Sequence, residues 1–312
     1  MLTMKRPKEN TGRAGEHSEL QAGLNLHASE VKLEGLSIIA SQLRAEGKYD
    51  EALPYVRESA AVAAQIWGDR HPEYAMKLSN LGLLFKELAD YHQALNVLGQ
   101  ARDIVRAAVG VRDTHYATII NNLALVHQAM RHYDEALPLF LQAYAIAVET
   151  GGKHSSTYAV RSGNLGLLYA EMGDYDKALP FLTEAREVTR QNVGSLHPSY
   201  AKRLNNLAGA YLAMRDYAQA LPLLVEAKDV TAASLGEDHP EFALRLHNLA
   251  SLHEAVGDYA EALPLMVRAC EVAAGSLGDR HPQYLSMLHH LSELYRALGR
   301  HGEADALLAD VP

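Results

Sequence analysis

A short string built around an aromatic residue recurs through the chain at a constant interval of 42 residues. Its first copy is GKYDEALP, and the third residues of the successive copies are Tyr49, Tyr91, Tyr133, Tyr175, Tyr217, Tyr259 and His301. A second string, which ends in His-Pro, keeps the same interval at four junctions between units. A fixed period of this length is typical of stacked supersecondary units, because one unit cannot bury its apolar face alone.

Each unit has the pattern of two helices joined by a tight turn. Between Glu73 and Leu88 the apolar residues return at three- and four-residue steps, which is the spacing of one helical face. Pro72 stands just before this stretch, where a first helical residue costs no hydrogen bond. A second helix is predicted to begin near Asp90 and to end at Gly110. Seven such pairs predict an all-α chain of fourteen main helices.

The unit also carries a family resemblance. Its pattern is similar to that of the tetratricopeptide repeat, shown in order by Leu165, Gly166, Tyr169, Tyr175, Ala178, Leu182 and Ala185. The 42-residue period, LNNLA at 204–208 and LGEDHP at 235–240 resemble the repeats of kinesin light chains and their bacterial relatives. Over about residues 31–310, the resemblance implies a right-handed superhelical solenoid of about seven helix-turn-helix repeats. It also implies that the first helices line a concave groove that binds a peptide or protein.

The ends of the chain differ in character from the repeats. Residues 1–28 are polar and contain three glycines, so we expect a partly disordered N-terminal segment, followed by the solenoid over residues 29–312. A short cap over the first hairpin is expected around Leu24. At the other end, Leu307, Leu308 and Val311 form an apolar edge. A homodimer through the terminal repeats is therefore a further expectation.

Charge and cysteine content narrow the class of partner. The formal net charge is −9, whereas binding to nucleic acid or to an anionic membrane needs a basic surface. Cys270 is the only cysteine, so an internal disulfide is impossible, which fits a reducing cytoplasm. We therefore expect a cytoplasmic protein with a protein or peptide partner, and neither nucleic acid nor membrane.

Catalytic and metal-binding patterns are weak. The nucleophile, phosphate-loop and zinc-protease motifs do not occur in the sequence, so we expect no enzyme and no cofactor. His247, His289 and His290 lie in neighbouring units and are the candidate ligands for a zinc or nickel site. No carboxylate or cysteine joins them at a useful spacing, so no metal is expected.

Asparagines recur at one position of the first helices, each 42 residues after the previous one: Asn80, Asn122, Asn164, Asn206 and Asn248. Asparagine is a mediocre helix residue, so its repetition needs a reason. Its amide can both donate and accept a hydrogen bond. The row lies off the apolar stripe, which leaves two interpretations open. The amides bind the backbone of a guest, or they join neighbouring repeats.

Basic residues lie three positions before several of these asparagines, on what we take to be the same helix face. They predict a groove that is basic in its middle and a guest that is acidic and apolar. The predicted peptide-binding residues are Lys77, Asn80, Asn122, Arg161, Asn164, Lys202, Arg203, Asn206, Arg245 and Asn248.

The function predicted from these features is a protein-interaction scaffold that binds a peptide or protein segment in its concave groove. The alternative is a regulatory or adaptor subunit of a separate enzyme, such as a protease, kinase or toxin, that senses a signal through the groove. A neighbouring gene for such an enzyme would favour the alternative.

Overall fold

The computed structural model describes the backbone of residues 11–309 and the side chains of residues 26–309. Over this range the chain forms fourteen helices and no strand, which confirms the all-α solenoid. The helices are α1 (Thr11–Ala45), α2 (Tyr49–Trp67), α3 (Pro72–Glu87), α4 (Tyr91–Ala108), α5 (Thr114–Ala129), α6 (Tyr133–Gly151), α7 (Ser156–Glu171), α8 (Tyr175–Val193), α9 (Pro198–Ala213), α10 (Tyr217–Leu235), α11 (Pro240–Ala255), α12 (Tyr259–Leu277), α13 (Pro282–Ala297) and α14 (His301–Ala309). None of these helices is both long and apolar enough to cross a membrane.

The recurring junction strings are helix start signals. At each His-Pro junction the histidine is the N-cap, and its Nδ1 accepts a hydrogen bond from the backbone N–H two residues later, as in His71, His197, His239 and His281. Asp113 and Ser155 cap the helices at the two junctions that lack this string. These caps satisfy backbone donors that the first helical turn leaves without partners. The residues that recur at the 42-residue period are thus the ones that begin each first helix.

Small residues let the two helices of each hairpin approach closely. Gly166 of α7 lies against Leu182 of α8, so that a Cβ on Gly166 would be 2.8 Å from the leucine Cγ. Ala178 is fully buried in the same hairpin. Large side chains such as Leu165 and Leu168 fill the space around this contact, and both are fully buried. The same arrangement recurs along the chain, so the hydrophobic core is elongated rather than globular.

The stack curves in one direction. Neighbouring odd-numbered helices touch one another, as α3 touches α5 and α7 touches α9, whereas no two even-numbered helices reach comparable contact in the described residues. The odd-numbered helices therefore lie on the inside of the curve. We call their exposed surface the inner face and the exposed surface of the even-numbered helices the outer face.

The described residues at the two ends continue the helical packing of the stack. Helix α1 runs without a break from Thr11 to Ala45, so the boundary drawn at residue 28 falls inside a helix. Leu307 and Leu308 pack against the last core cluster instead of forming an open edge. Val311 and the side chain of Leu24 lie outside the described residues.

Candidate binding surface on the inner face

The asparagine row forms hydrogen bonds between repeats. The amide nitrogen of Asn164 donates to the Asn121 side-chain oxygen at 2.9 Å, and Asn248 donates to Asn205 at 2.6 Å. Asn122 donates in the same way to the Ser79 hydroxyl at 2.9 Å. Each donor reaches back 43 residues, to the position just before the asparagine of the preceding unit. We call this series the asparagine ladder, and it supports the interpretation that the amides join neighbouring repeats.

Two asparagines of the row stand outside the ladder. Asn206 is half-buried, and the position 43 residues earlier is Gly163, which has no side chain to accept a hydrogen bond. Asn80 is exposed, and the corresponding Ser37 instead accepts from Lys77 at 3.3 Å and donates to the Leu33 carbonyl. Neither amide has a hydrogen-bond partner among the described residues. These two amides are therefore available to a guest on the inner face.

The three arginines of the predicted site are buried. Arg161 is 6% exposed, Arg203 is 9% exposed and Arg245 is 3% exposed. Burial lowers the pKa of Arg161 to about 10 and also lowers the pKa of the other two. Their guanidinium groups lie in the seams between neighbouring repeats. These three side chains are therefore buried between repeats, and their predicted role in binding an acidic guest stays a prediction.

Helix geometry explains why these arginines are buried. At 3.6 residues per turn, the residues three and four before an asparagine lie on opposite sides of it, about 60° and 40° away. The residue three before faces the neighbouring repeat, as buried Ile119 and Met287 also do. The residue four before lies on the other side of the asparagine, where it is exposed in three repeats and half-buried in three. Those positions hold Met76, Thr118, Val160, Lys202, Leu244 and Ser286, so Lys202 supplies the only cation among them.

The buried arginines have different partners. Arg161 donates to the Thr118 hydroxyl at 3.0 Å. Arg245 forms an ion pair with Glu241, one turn earlier on α11. Neither arginine pairs with Glu171 or Glu254, which also lie on first helices. Glu171 instead accepts from Gln128 at 2.7 Å.

The histidines weighed as metal ligands form a hydrogen-bonded chain. His247 Nε2 lies 2.9 Å from His290 Nδ1, and His290 Nε2 lies 2.5 Å from the Glu254 carboxylate. Both ring nitrogens of His290 are thus engaged, and His289 is exposed beside them. Burial, and then the neighbouring His290, lowers the pKa of His247. Among the described residues, no three metal-ligating side chains are grouped to hold a metal ion.

An apolar hollow lies on the outer face and was missed in the sequence. It has a volume of about 630 Å³ and is lined by Leu196, Leu221, Val225 and residues around them. Leu196 is 69% exposed. The same register position holds only polar residues in other units: Arg70, Arg112, His154, Asp238 and Arg280. The apolar Leu196 at this otherwise polar position was the one feature of the sequence that could have indicated the hollow.

The tetratricopeptide repeat model matches residues 33–107, 115–191, 199–273 and 242–311, which make up most of the chain. The chain therefore belongs to the tetratricopeptide repeat family, as its resemblance predicted. Repeats of this family generally mediate interactions between proteins and are typically not enzymes. No curated protein matches the chain significantly.

Solved structures with similar folds include kinesin-light-chain-like proteins. BtubC (BKLC) from P. vanneervenii is 18% identical, with a TM-score of 0.56 over 79% of this chain and 91% of that chain. A putative kinesin light chain from Podosopora anserina, with nearly identical TPR-like repeats, is 28% identical, with a TM-score of 0.52 over 62% of this chain and 91% of that chain. A STAND protein with a tetratricopeptide repeat sensor, from Pyrococcus horikoshii, has a TM-score of 0.59 at 15% identity, over 91% of this chain and 41% of that chain. At these identities the first and third show the fold alone.

Proposed function

We propose that this chain is a protein-interaction scaffold that holds a peptide or protein segment along its inner face. Membership of a family that generally mediates protein interactions supports the scaffold. The observation that supports binding on the inner face is the pair of amides outside the asparagine ladder. Asn80 and Asn206 lie in the same row as the ladder asparagines but have no partner among the described residues, so they can bond to the backbone of a guest.

The guest we propose is apolar with an acidic group. Leu83, Leu125 and Leu167 are half-buried on the inner face, and they offer apolar surface to an anchoring side chain. Lys202 is exposed on the same face and suits a guest carboxylate. Amide contacts to a guest backbone add affinity with little sequence choice, so the apolar and charged contacts would set specificity.

Two matched pairs of variants test this proposal once affinity capture and mass spectrometry have supplied a partner. Asn206→Ala removes a partnerless amide, and its control Asn164→Ala removes a ladder amide. Lys202→Ala removes an inner-face cation, and its control Lys228→Ala removes a cation of α10 that pairs with Asp229. We expect each inner-face variant to weaken binding by about 1 kcal/mol, roughly fivefold in Kd, and each control to change it little.

Unchanged binding by both inner-face variants would contradict the proposal. The apolar hollow on the outer face would then be the next candidate, and Val225→Asp would test it directly. Circular dichroism of every variant shows whether a loss of binding reflects a loss of fold.

A second candidate is a regulatory or adaptor subunit of a separate enzyme. The similarity in fold to a STAND protein with a tetratricopeptide repeat sensor is compatible with this candidate. Co-purification of this chain with an enzyme whose activity changes on binding would support this candidate. A captured partner without enzymatic activity would favour the simple scaffold.

Two further expectations stay predictions. A homodimer through the terminal repeats is better placed at α1 than at the other end, because Val31 is 56% exposed and Ile38 is 60% exposed. Light scattering of the full chain, compared with Ile38→Glu, tests it. A dimer unaffected by this variant would contradict an α1 interface. The cytoplasmic location also stays a prediction, and fractionation of cells tests it.

A further inference from the structure

Arg203 carries a buried positive charge for which the described residues supply no anion. Its side chain is 91% buried by solvent exposure, and burial alone accounts for the lowered pKa of its guanidinium. Its Nε has no hydrogen-bond partner. Because arginine stays protonated in proteins, the charge cannot be removed by titration. A buried ion without a counter-ion is costly, so its retention in this seam needs an explanation.

A small cavity lies in the seam between α7, α8 and α9, and Arg203 is one of its lining residues. The cavity has a volume of about 80 Å³, and Arg203 lies in its wall together with Ser156, Asn192 and Ser199. The amide of Asn192 is 3.4 Å from the Ser156 hydroxyl, so both groups point into one region. Val160 and Val193 supply apolar walls. The size fits a carboxylate or phosphate group, and the hydroxyl and amide groups can donate to its oxygens.

Gly163 makes room for this arrangement. A Cβ at position 163 would lie 2.7 Å from a terminal nitrogen of Arg203, so a larger residue would push the guanidinium away. The space at this glycine is occupied by the Arg203 guanidinium of the next repeat.

In the next repeat, the arginine at the equivalent position is paired with a carboxylate. Arg245 is 42 residues after Arg203 and is also buried, but Glu241 pairs with it from one turn earlier on α11. The position that corresponds to Glu241 beside Arg203 is Ser199. One repeat therefore supplies its own carboxylate to the arginine, and the preceding repeat offers a hydroxyl and a cavity instead.

We propose that the cavity at Arg203 binds the oxyanion group of a ligand, either a carboxylate or a phosphate. The guanidinium fork donates two parallel hydrogen bonds to such a group, which is the geometry that favours arginine over lysine. The Ser199 and Ser156 hydroxyls complete the site. The proposal does not rest on the inner-face scaffold function, since a free ion suffices to test it.

Thermal unfolding and calorimetry of the full chain test the proposal at pH 7 and constant ionic strength. Sodium chloride is the reference, and inorganic phosphate, acetate and O-phosphoserine are the probes. Phosphate also stabilises proteins by exclusion from their surface, so the informative quantity is the increment lost on mutation. We expect saturable binding of phosphate or acetate to the wild type, with Kd raised at least tenfold in Arg203→Gln and unchanged in Arg280→Gln, an exposed control.

A second variant gives the site its own carboxylate. In Ser199→Glu the new side chain stands where Glu241 stands relative to Arg245, so we expect a raised Tm in chloride and loss of the response to phosphate and acetate. In chloride alone, Arg203→Gln should be no less stable than the wild type, because it removes a buried charge without a partner. These two results separate an anion site from a merely structural arginine.

The probes also identify the source of the oxyanion. Binding of O-phosphoserine at least as tight as that of phosphate indicates a group carried on a peptide, whereas binding of inorganic phosphate alone indicates a free ion. Preference for acetate indicates a carboxylate. Equal responses in the wild type and Arg203→Gln, or an unchanged response in Ser199→Glu, would overturn the proposal. Loss of partner binding in inner-face variants would leave these results untouched, so the two proposals fail separately.

Discussion

Replacing Asn164 and Asn206 separately by alanine compares two residues in the same helical register with different surroundings. The Asn164 amide donates to Asn121 across the seam at 2.9 Å. Asn121 itself is 2% exposed, so its oxygen has no access to replacement water. Asn206 lies opposite Gly163 and has no partner among the described residues. The two substitutions remove the same atoms but only the first breaks a hydrogen bond.

The magnitudes follow from two opposing terms. Alanine gains about 0.5 kcal/mol over asparagine in a helix interior, and this gain applies to both variants. Leaving the buried Asn121 oxygen without its donor costs about 1–3 kcal/mol. Asn206→Ala should therefore stabilise the chain by about 0.5 kcal/mol, and Asn164→Ala should destabilise it by roughly 0.5–2.5 kcal/mol. The difference between the variants isolates the ladder bond.

Urea unfolding followed by circular dichroism measures this difference. The midpoints can be compared directly if the two variants keep the same dependence on urea, which is the condition to check in a stacked repeat protein. Equal shifts of the unfolding free energy in both variants would refute the reasoning, because the ladder would then contribute nothing to stability.

Three other predictions concern packing, pH and reactivity. Gly209→Ala should stabilise α9 by about 1 kcal/mol, because nothing lies within 4 Å of the new Cβ. Gly166→Ala should destabilise the chain, because the new Cβ would collide with Leu182, and urea midpoints measure both effects. Burial lowers the pKa of His127, His247 and His281 below the usual value, so the folded state favours their neutral forms. The stability that depends on these neutral forms is therefore full above about pH 6.5 and should fall toward pH 5, which a decrease in Tm will show. Burial raises the pKa of Cys270 to about 12, so its thiol should react with a disulfide reagent at pH 8 only after unfolding.

The fold could be predicted from the sequence because its signals are local. His71 and Pro72 mark a helix start through contacts within two residues, and the same string recurs at other junctions. The period then fixes the order of the hairpins. The binding surface was harder to predict, because the residues three and four before an asparagine look equivalent in the sequence. They differ only in which neighbouring element each one faces. That choice depends on how adjacent repeats pack.

The partners of the asparagine ladder were present in the sequence but not recognised. Ser79, Asn121 and Asn205 stand immediately before row asparagines, and each accepts from the following repeat. A column of polar residues at that position was the available signal. The burial of Arg203 had no comparable local signal, because it depends on how neighbouring repeats pack, as it does for Arg161 and Arg245.

Site-specific photocrosslinking tests the central claim that a partner binds the inner face. Val160 of α7 is 37% exposed on the inner face, and Val225 of α10 is 36% exposed on the outer face, so the two positions are matched in residue type and exposure. A photoreactive amino acid is placed at each position in turn, and the captured partner is irradiated with the full chain. The account predicts crosslinks from position 160 and few from position 225. Crosslinks from position 225 with none from position 160 would contradict it and place the partner on the outer face.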